Sequence, residues 1–558
     1  MKKILIANRG EIALRIIRAC RDSGYASVAI ASEADRHAQH ALQADECYVL
    51  PGNSPRDTYL NQDAILEIAR RSDADAVHPG YGLLSENEVF AAAVVVAGLT
   101  WIGPSAEAIA NLGDKLAARN IARVAGAPLL PSWEGDDLTA DLARAFVEEH
   151  GLPIIVKAQN GGGGRGMRIV REENELAAQI SAAQREAGLA FGRTECFVER
   201  YIENARHVET QCLADAHGNV AVVSTRDCTL QRRHQKLVEE APAPFLNAEQ
   251  TRQLVDVSKA VLAAVAYCGA ATCEYLVAPE GNIFFLEVNT RIQVEHPVTE
   301  EVTGVDLIRE MFHIAEGLPL PTSFPSVRGH AIEFRINAED PWADFKPTPG
   351  RIKKMQLPMG PGIRLDFGYG AGDSVPPYYD SMLGKVVVSG ADRQQTLERA
   401  RRALRELQIE GPHTIAPLHQ AILTDEAFVS TQVEDFAVHT RWIDENLVRL
   451  EQVAKQLAPA AGTFSESEED ELVGYQQEAP ADVETTSYRT GVKAPLSGMI
   501  MELCVQEGDT VAPGDIVAIM EAMKMEQPVM SDFGGRVAKI NVVKGAFIEM
   551  DADILGMD

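Results

Sequence analysis

The residues from about 490 to the end constrain the chain most, because they repeat themselves. Ala494-Pro495-Leu496-Ser497-Gly498 aligns with Ser531-Asp532-Phe533-Gly534-Gly535, and Val505-Gln506-Glu507-Gly508-Asp509-Thr510-Val511 aligns with Val542-Val543-Lys544-Gly545-Ala546-Phe547-Ile548. Each half alternates apolar and polar residues between turn glycines, the pattern of short half-buried strands. Such halves bury their apolar faces against each other, so the repeat predicts a small all-β sandwich with quasi-twofold symmetry. Midway between them lies Glu521-Ala522-Met523-Lys524-Met525-Glu526. A hairpin turn there puts Lys524 at an exposed tip.

Just upstream, Ser465 to Glu484 holds eight acidic residues and no Lys or Arg. Self-repelling charge with few apolar groups predicts a solvated, flexible linker over 446–489, spanning roughly 35 Å r.m.s.. The 558 residues exceed one core, and about 150 residues per domain suggests three or four domains. A net charge of -29 repels nucleic acid and anionic lipid. No apolar run is long enough to cross a membrane, and polar Asn8, Arg9 and Glu11 cut short the apolar start. Eight scattered cysteines without a CxxC pair read as free thiols, so a cytoplasmic protein is expected.

Ahead of the linker, strands alternate with helices. Lys3–Ala7, Ser27–Ala31 and Ala74–His78 read as strands, with Glu11–Asp22 and Asn61–Arg71 as helices, which argues for a parallel α/β sheet. Leu152–Ala158 reads as a strand running into Gly161-Gly162-Gly163-Gly164-Arg165-Gly166, whose backbone can approach phosphate oxygens closely. Neither the GxxxxGK[ST] pattern nor an acidic residue at dinucleotide-binding spacing accompanies it. Phe284–Asn289 reads as a strand; if it continues, Glu287, Asn289, Arg291 and Gln293 share a face. Hard oxygen donors beside substrate phosphates suit Mg²⁺. His78, His207, His234 and His296 lack zinc-ligand spacing. A polar helix, about Asp444–Leu457, closes this body.

Several stretches resemble biotin carboxylase, a member of the ATP-grasp superfamily, in the family's order. They are Ile6-Ala7-Asn8-Arg9-Gly10-Glu11, His78-Pro79-Gly80-Tyr81-Gly82, the glycine loop, Arg232-Arg233-His234-Gln235-Lys236, and Glu287-Val288-Asn289-Thr290-Arg291-Ile292-Gln293-Val294-Glu295-His296-Pro297. Ala522-Met523-Lys524-Met525 within its β repeat resembles the biotinylation site of biotin carboxyl carrier domains; a lipoyl domain shares the architecture but less typically flanks its lysine with two methionines.

The resemblance implies a Rossmann-like N-terminal domain over 1–112 and an ATP-grasp domain over 113–330 with a mobile lid at about 132–203. A biotin carboxylase C-terminal domain over 331–445, the linker, and an all-β biotinyl domain over 490–558 complete the expected order. It implies ATP contacts from Lys115, Lys157, Gly162, Gly163, Gly164, Gly166, Glu199, Arg200, Ile202, His207, Gln231 and His234. Arg200 stands where many relatives carry Lys. Magnesium (or manganese) would be held by Glu274, Glu287 and Asn289, and bicarbonate by Arg291, Gln293 and the Val294 backbone. Glu295 would act as general base, Lys236 would add positive charge, and Arg335 would stabilise an enolate-like oxygen of biotin. Biotin would be joined to Lys524 by a biotin protein ligase. No carboxyltransferase domain fits in the sequence, so carboxybiotin would pass to a separate crotonase-like β subunit that carboxylates acetyl- or propionyl-CoA. Dimerisation through the body is implied as well. The alternatives are the carboxylase subunit of a two-subunit pyruvate carboxylase, a non-catalytic biotin carrier, and another ATP-grasp ligase.

Overall fold

The computed structural model describes residues 1–135, 137–159, 167–191, 193–457, 490–496, 498–523, 525–548 and 550–558, with backbone alone at 189–191 and 525–526. Gly162, Gly163, Gly164, Gly166, Lys524 and the acidic stretch 458–489 lie outside the described residues.

Five short parallel strands open the chain, ordered Glu46–Val49, Ala26–Ala31, Lys3–Ile6, Ala76–His78, Thr100–Trp101. Sequence reading found the three central strands and missed both edges, which are short; the Glu-Cys-Tyr-Val edge is only half-buried. The helix Gly10–Ser23 buries Ile12, Ile16 and Ile17 and ends at Gly24, whose φ of 78° lets the chain turn back. Asn61, read as helical, is instead the cap of Gln62–Arg71, its side chain accepting from the Ala64 N–H.

Most of the candidate chemistry sits on an eight-stranded antiparallel sheet. Its order is Ile283–Asn289, Gly269–Val277, Arg206–Ala214, Val220–Arg232, Gln235–Ala241, His330–Asn337, Met382–Gly390, Ile363–Phe367. Because Gln235–Ala241 pairs directly with His330–Asn337, the sheet runs unbroken across the boundary expected at 330/331. A smaller antiparallel sheet, Ser132–Trp133, Cys196–Arg200, Ile154–Ala158, Met167–Val170, packs against helices Ala140–His150 and Leu176–Phe191. Its strand begins at Ile154 rather than Leu152; Pro153 offers no N–H to a ladder.

The helix Trp442–Leu457 buries Trp442, Ile443, Leu450 and Ala454 in the core that holds Phe334 and Val386. Residues 446–457, expected in the linker, are therefore part of the body. The sandwich follows as expected, with sheets ordered Thr490–Lys493, Asp553–Met557, Gly535–Ile540, Thr510–Val511 and Met525–Met530, Ile516–Ala522, Gly498–Leu503, Phe547–Ile548. Its core is Val492, Ile500, Val517, Met520, Val537 and Leu555 among others. No described helix is long and apolar enough to cross a membrane.

Candidate active site and its relatives

The hairpin between Val220–Arg232 and Gln235–Ala241 turns through Arg233 and His234, at φ 47° and 67°. It delivers Lys236 to the centre of the site. Lys236 Nζ donates to Glu209 Oε2 at 2.6 Å, Glu274 Oε1 at 2.7 Å and Glu295 Oε1 at 2.8 Å. Glu209 and Glu274 are cross-strand partners, which brings two buried carboxylates together before Lys236 arrives. Fully buried Arg226 supports the second oxygen of Glu209 and bonds Gln211, Thr272 and Thr299. Arg335 reaches the other oxygen of Glu295, Nη2 to Oε2 at 3.1 Å, while its Nε donates to Glu239 Oε1 at 2.6 Å. Burial alone raises the Glu295 carboxyl; Lys236, Arg335 and Arg226 overcome it and hold the group well below the usual carboxylate range. Glu239 is the opposite case: burial pushes it up to about 7 despite Arg335.

The strand Ile283–Asn289 stops at Asn289, so Arg291 and Gln293 do not share its face by continuing it. A tight loop brings them together instead. Arg291 donates to Asn289 Oδ1 at 3.0 Å, Gln293 Oε1 at 2.7 Å and Glu86 Oε2 at 3.0 Å. Gln293 Nε2 then donates to Glu274 Oε1 at 3.1 Å. Behind the loop, fully buried Lys385 donates to the Val294 carbonyl at 2.8 Å and pairs with Glu11 Oε1 at 3.0 Å, which Tyr81 also supports. The two N-terminal motifs interlock here. Asn8 Nδ2 donates to the Pro79 and Tyr81 carbonyls, and Gly80, at φ +64°, has no room for a Cβ beside that amide.

Glu287 faces Glu274 across the adjacent strand pair. Asn289 Nδ2 donates to Glu274 Oε1 at 2.8 Å. Among the described residues the Glu287 carboxylate accepts no hydrogen bond, and burial followed by Glu274 raises its pKa. Two neighbouring carboxylates, one without a partner, fit a divalent cation that takes hard oxygen ligands. His207, Glu209 and Glu274 also lie within ligating reach of one another. The Lys236 ammonium already bonds Glu209 and Glu274, so Glu287, beside Glu274, is the carboxylate left open to a cation.

Lys115 opens the helix Lys115–Val124, capped by Asp114, and its Nζ lies 3.5 Å from the Ala158 carbonyl. Burial holds its pKa below the ordinary lysine value, partly offset by the Glu287 carboxylate. Lys157 Nζ pairs with Glu199 Oε2 at 2.5 Å, and Arg119 takes the other oxygen. The Arg200 guanidinium donates to the His150 carbonyl, and Ile202 lies just beyond the strand Cys196–Arg200. His207 Nε2 is 2.8 Å from Glu274 Oε2, and its Nδ1 is 3.3 Å from Gln231 Nε2. His234 sits at the hairpin tip, where desolvation and the nearby Lys157 and His207 lower its pKa.

Comparison with known proteins covers both parts of the chain. Residues 1–109 match the biotin carboxylase N-terminal domain, 114–323 the carbamoyl-phosphate synthase L chain ATP binding domain, 333–445 the biotin carboxylase C-terminal domain, and 490–557 biotin-requiring enzymes. The biotin-dependent acyl-coenzyme A carboxylase alpha3 subunit of Mycobacterium leprae is 46% identical over 98% of this chain and 97% of its own. The chain belongs to the biotin carboxylase family. It is a biotin carboxylase fused to a biotin-carrier domain, a homologue of acyl-CoA carboxylase α subunits. A pyruvate carboxylase subunit of Methanothermobacter thermautotrophicus is 44% identical over 79% of the chain and 89% of its own length. The biotin carboxylase domain dimer of Hydrogenobacter thermophilus 2-oxoglutarate carboxylase, solved with MgADP, ADP and bicarbonate, superposes with a TM-score of 0.77 at 42% identity. It covers 80% of this chain and 98% of that one.

Sequence reading of this biotin carboxylase quoted Glu11 in a motif without a role and missed Glu86, Glu209, Arg226, Glu239 and Lys385. One signal was available for Glu209, which stands two residues from His207 and so shares its strand face. Arg226 and Lys385 are charges inside strands that pair on both sides, where an unpaired charge is costly. That position alone calls for partners.

Proposed function

We propose that this chain carboxylates the biotin on its own Lys524, using ATP and bicarbonate, for a separate carboxyltransferase acting on an acyl-CoA. The convergence of Lys236, Glu295 and Arg335, on a chain that also carries a biotin-carrier domain, supports this reading most directly. Bicarbonate binds through the Arg291 guanidinium, the Gln293 amide and the Val294 backbone. Glu295, ionised at neutral pH, accepts the bicarbonate proton. The freed oxygen attacks the γ-phosphoryl group as its bond to ADP breaks, giving carboxyphosphate and ADP. Lys115, Lys157 and the glycine loop from Gly162 to Gly166 hold the phosphates; Glu199, Arg200, Ile202, His207, Gln231 and His234 line the nucleotide's path. Glu274, Glu287 and Asn289 would hold magnesium, which would supply charge to neutralise the transferring phosphoryl group. Anionic substrates draw the Lys236 ammonium away from its three carboxylates, and Glu295, relieved of that cation, becomes a stronger base. Carboxyphosphate breaks at its carboxyl C–O bond into CO₂ and phosphate; the phosphate takes the proton of the biotin ureido nitrogen, and that nitrogen attacks CO₂ to give carboxybiotin. Arg335 then offers a preorganised cation for negative charge developing on an oxygen.

An acyl-CoA acceptor is favoured over pyruvate because the Mycobacterium leprae relative aligns with body and carrier alike, whereas the pyruvate carboxylase relative aligns with 79% of the chain. The partners in this reading are a crotonase-like carboxyltransferase β subunit, a biotin protein ligase and a second copy of the body, all in the cytoplasm. Streptavidin capture from native cells, with mass spectrometry of bait and companions, tests it. Biotin on Lys524 with a crotonase-like carboxyltransferase alongside is expected. An unmodified Lys524 in cells with active biotin ligase sinks the carrier half, and absence of bicarbonate-dependent ADP release with free biotin sinks the catalytic half.

A further inference from the structure

Among the described residues, Phe547, Pro495 and Met523 of the carrier domain contact the body. Phe547 lies against Tyr378, ring centroids 4.6 Å apart and planes inclined by 39°. Lys346 Nζ donates to the Pro495 carbonyl at 3.4 Å. Met523, the residue before Lys524, is only 5% exposed and joins the apolar cluster of the body that contains Leu230, Leu237 and Phe345. These residues are neighbours on the carrier: Met499 pairs with Phe547 on one side and with Glu521, two residues before Met523, on the other. The face that touches the body is thus the face at the end of the strand Ile516–Ala522.

Both rims of the seat connect to the proposed active site. Asp344, two residues before Lys346, accepts from Arg232 and Arg233 in the hairpin that presents Lys236. Tyr378 precedes Tyr379, which packs on Tyr59 and under the Arg9 guanidinium. Four residues further, Met382 Sδ lies 3.8 Å from the Tyr81 hydroxyl that supports Glu11. Neither Tyr378 nor Lys346 bonds Lys236, Glu295 or Arg335, so the seat borders the chemistry without entering it.

We propose that Tyr378 and Lys346 form a docking seat by which the body recognises its own carrier domain, with Phe547 as the carrier's recognition residue. This rests on the reading of the carrier as the body's substrate. Among the described residues the specific contacts are one ring pair, one hydrogen bond and one buried methionine, as suits a transient encounter. Weak docking suits a group that must also reach a separate carboxyltransferase, and covalent linkage makes the encounter intramolecular. The ring pair discriminates between the tethered substrate and free biotin, since free biotin has no Phe547 to offer.

The test uses the full biotinylated chain. Single-turnover transfer of label from ¹⁴C-bicarbonate to the chain, with ATP, is compared with carboxylation of free biotin by the same preparation. Tyr378→Ala and Phe547→Ala should each slow self-labelling about tenfold, at the upper end of what an aromatic pair contributes, and leave the free-biotin rate within about twofold; Tyr378→Phe should keep both rates. Unchanged self-labelling in both alanine variants overturns the seat, as does an equal fall in the two reactions. A self-labelling rate that rises in proportion to chain concentration overturns its intramolecular nature. An unsubstituted chain that neither labels itself nor uses free biotin overturns the carboxylase reading and the seat together.

Discussion

At the scale of single residues, the candidate site is a problem in compensating buried charge. Lys236 alone neutralises parts of Glu209, Glu274 and Glu295. Lys236→Met therefore leaves three buried carboxylates short of a cation, and a destabilisation of about 3–5 kcal/mol is expected in urea unfolding. Glu295→Gln is a milder test, since it keeps shape and removes only the proton acceptor. Its kcat should fall about 10²- to 10³-fold, in the range of lost general-base catalysis, with the KM for ATP nearly unchanged in steady-state ADP release. Lys236, Glu295, Arg291 and Arg335 were legible because they sit in motifs. Glu239 and Lys385 were not, because their importance comes from strands distant in sequence: Glu239 meets Arg335 across a strand pair, and Lys385 meets Glu11 and Val294 across 374 and 91 positions.

Among elements, local signals located the helices Gly10–Ser23, Gln62–Arg71 and Trp442–Leu457 and failed for short strands and strand ends. The helix Ala248–Ala264 begins with a full capping box, Asn247 accepting from the Gln250 N–H and Gln250 reaching back to Asn247. Asn247→Ala should cost about 1 kcal/mol, read as a lower urea midpoint with unchanged slope. Thr100–Trp101 has too few residues to show a period and exists because the ladder of Ala76–His78 supplies its hydrogen bonds. The strand expected to continue past Asn289 ends there, and the loop after it places Arg291 by contacts with Asn289, Gln293 and Glu86. Alternation in the sequence predicted the right neighbours by the wrong route.

For the whole molecule, acid stability is the property most clearly set by burial. Buried His40 and His419 are pushed down to about 4 and His78 to about 3, by desolvation above all. A histidine whose folded pKa lies below its unfolded value stabilises fully above about 6.5 and loses that contribution as pH falls toward the folded pKa. Glu240 is held at about 2 by Arg393 and His330 against the penalty of burial. The same sign applies: its contribution, on the order of 3 kcal/mol, is present above about 4.5 and lost as pH falls toward 2. Urea midpoints measured from pH 7.5 to 4 should therefore decline steadily. Glu240→Gln should lower stability at neutral pH and narrow its gap to the unsubstituted chain below about pH 4.5; a constant gap would contradict the assignment.

The sequence by itself determined the order of parts. A parallel α/β start, a glycine-rich loop, a run of motif residues, an acidic stretch and a β repeat around Lys524 are all written in local patterns. Those patterns are local because propensity, period and turn chemistry act over a few residues. Tertiary structure alone decided that one antiparallel sheet joins Lys236 to Arg335 across an expected domain boundary. It also decided that Glu209, Glu239 and Lys385 hold the motif residues in place, and that Tyr378 meets Phe547 from 169 positions away. Each of those facts depends on which buried charge or ring finds a partner in space, and a charge inside an apolar strand states only that a partner is needed.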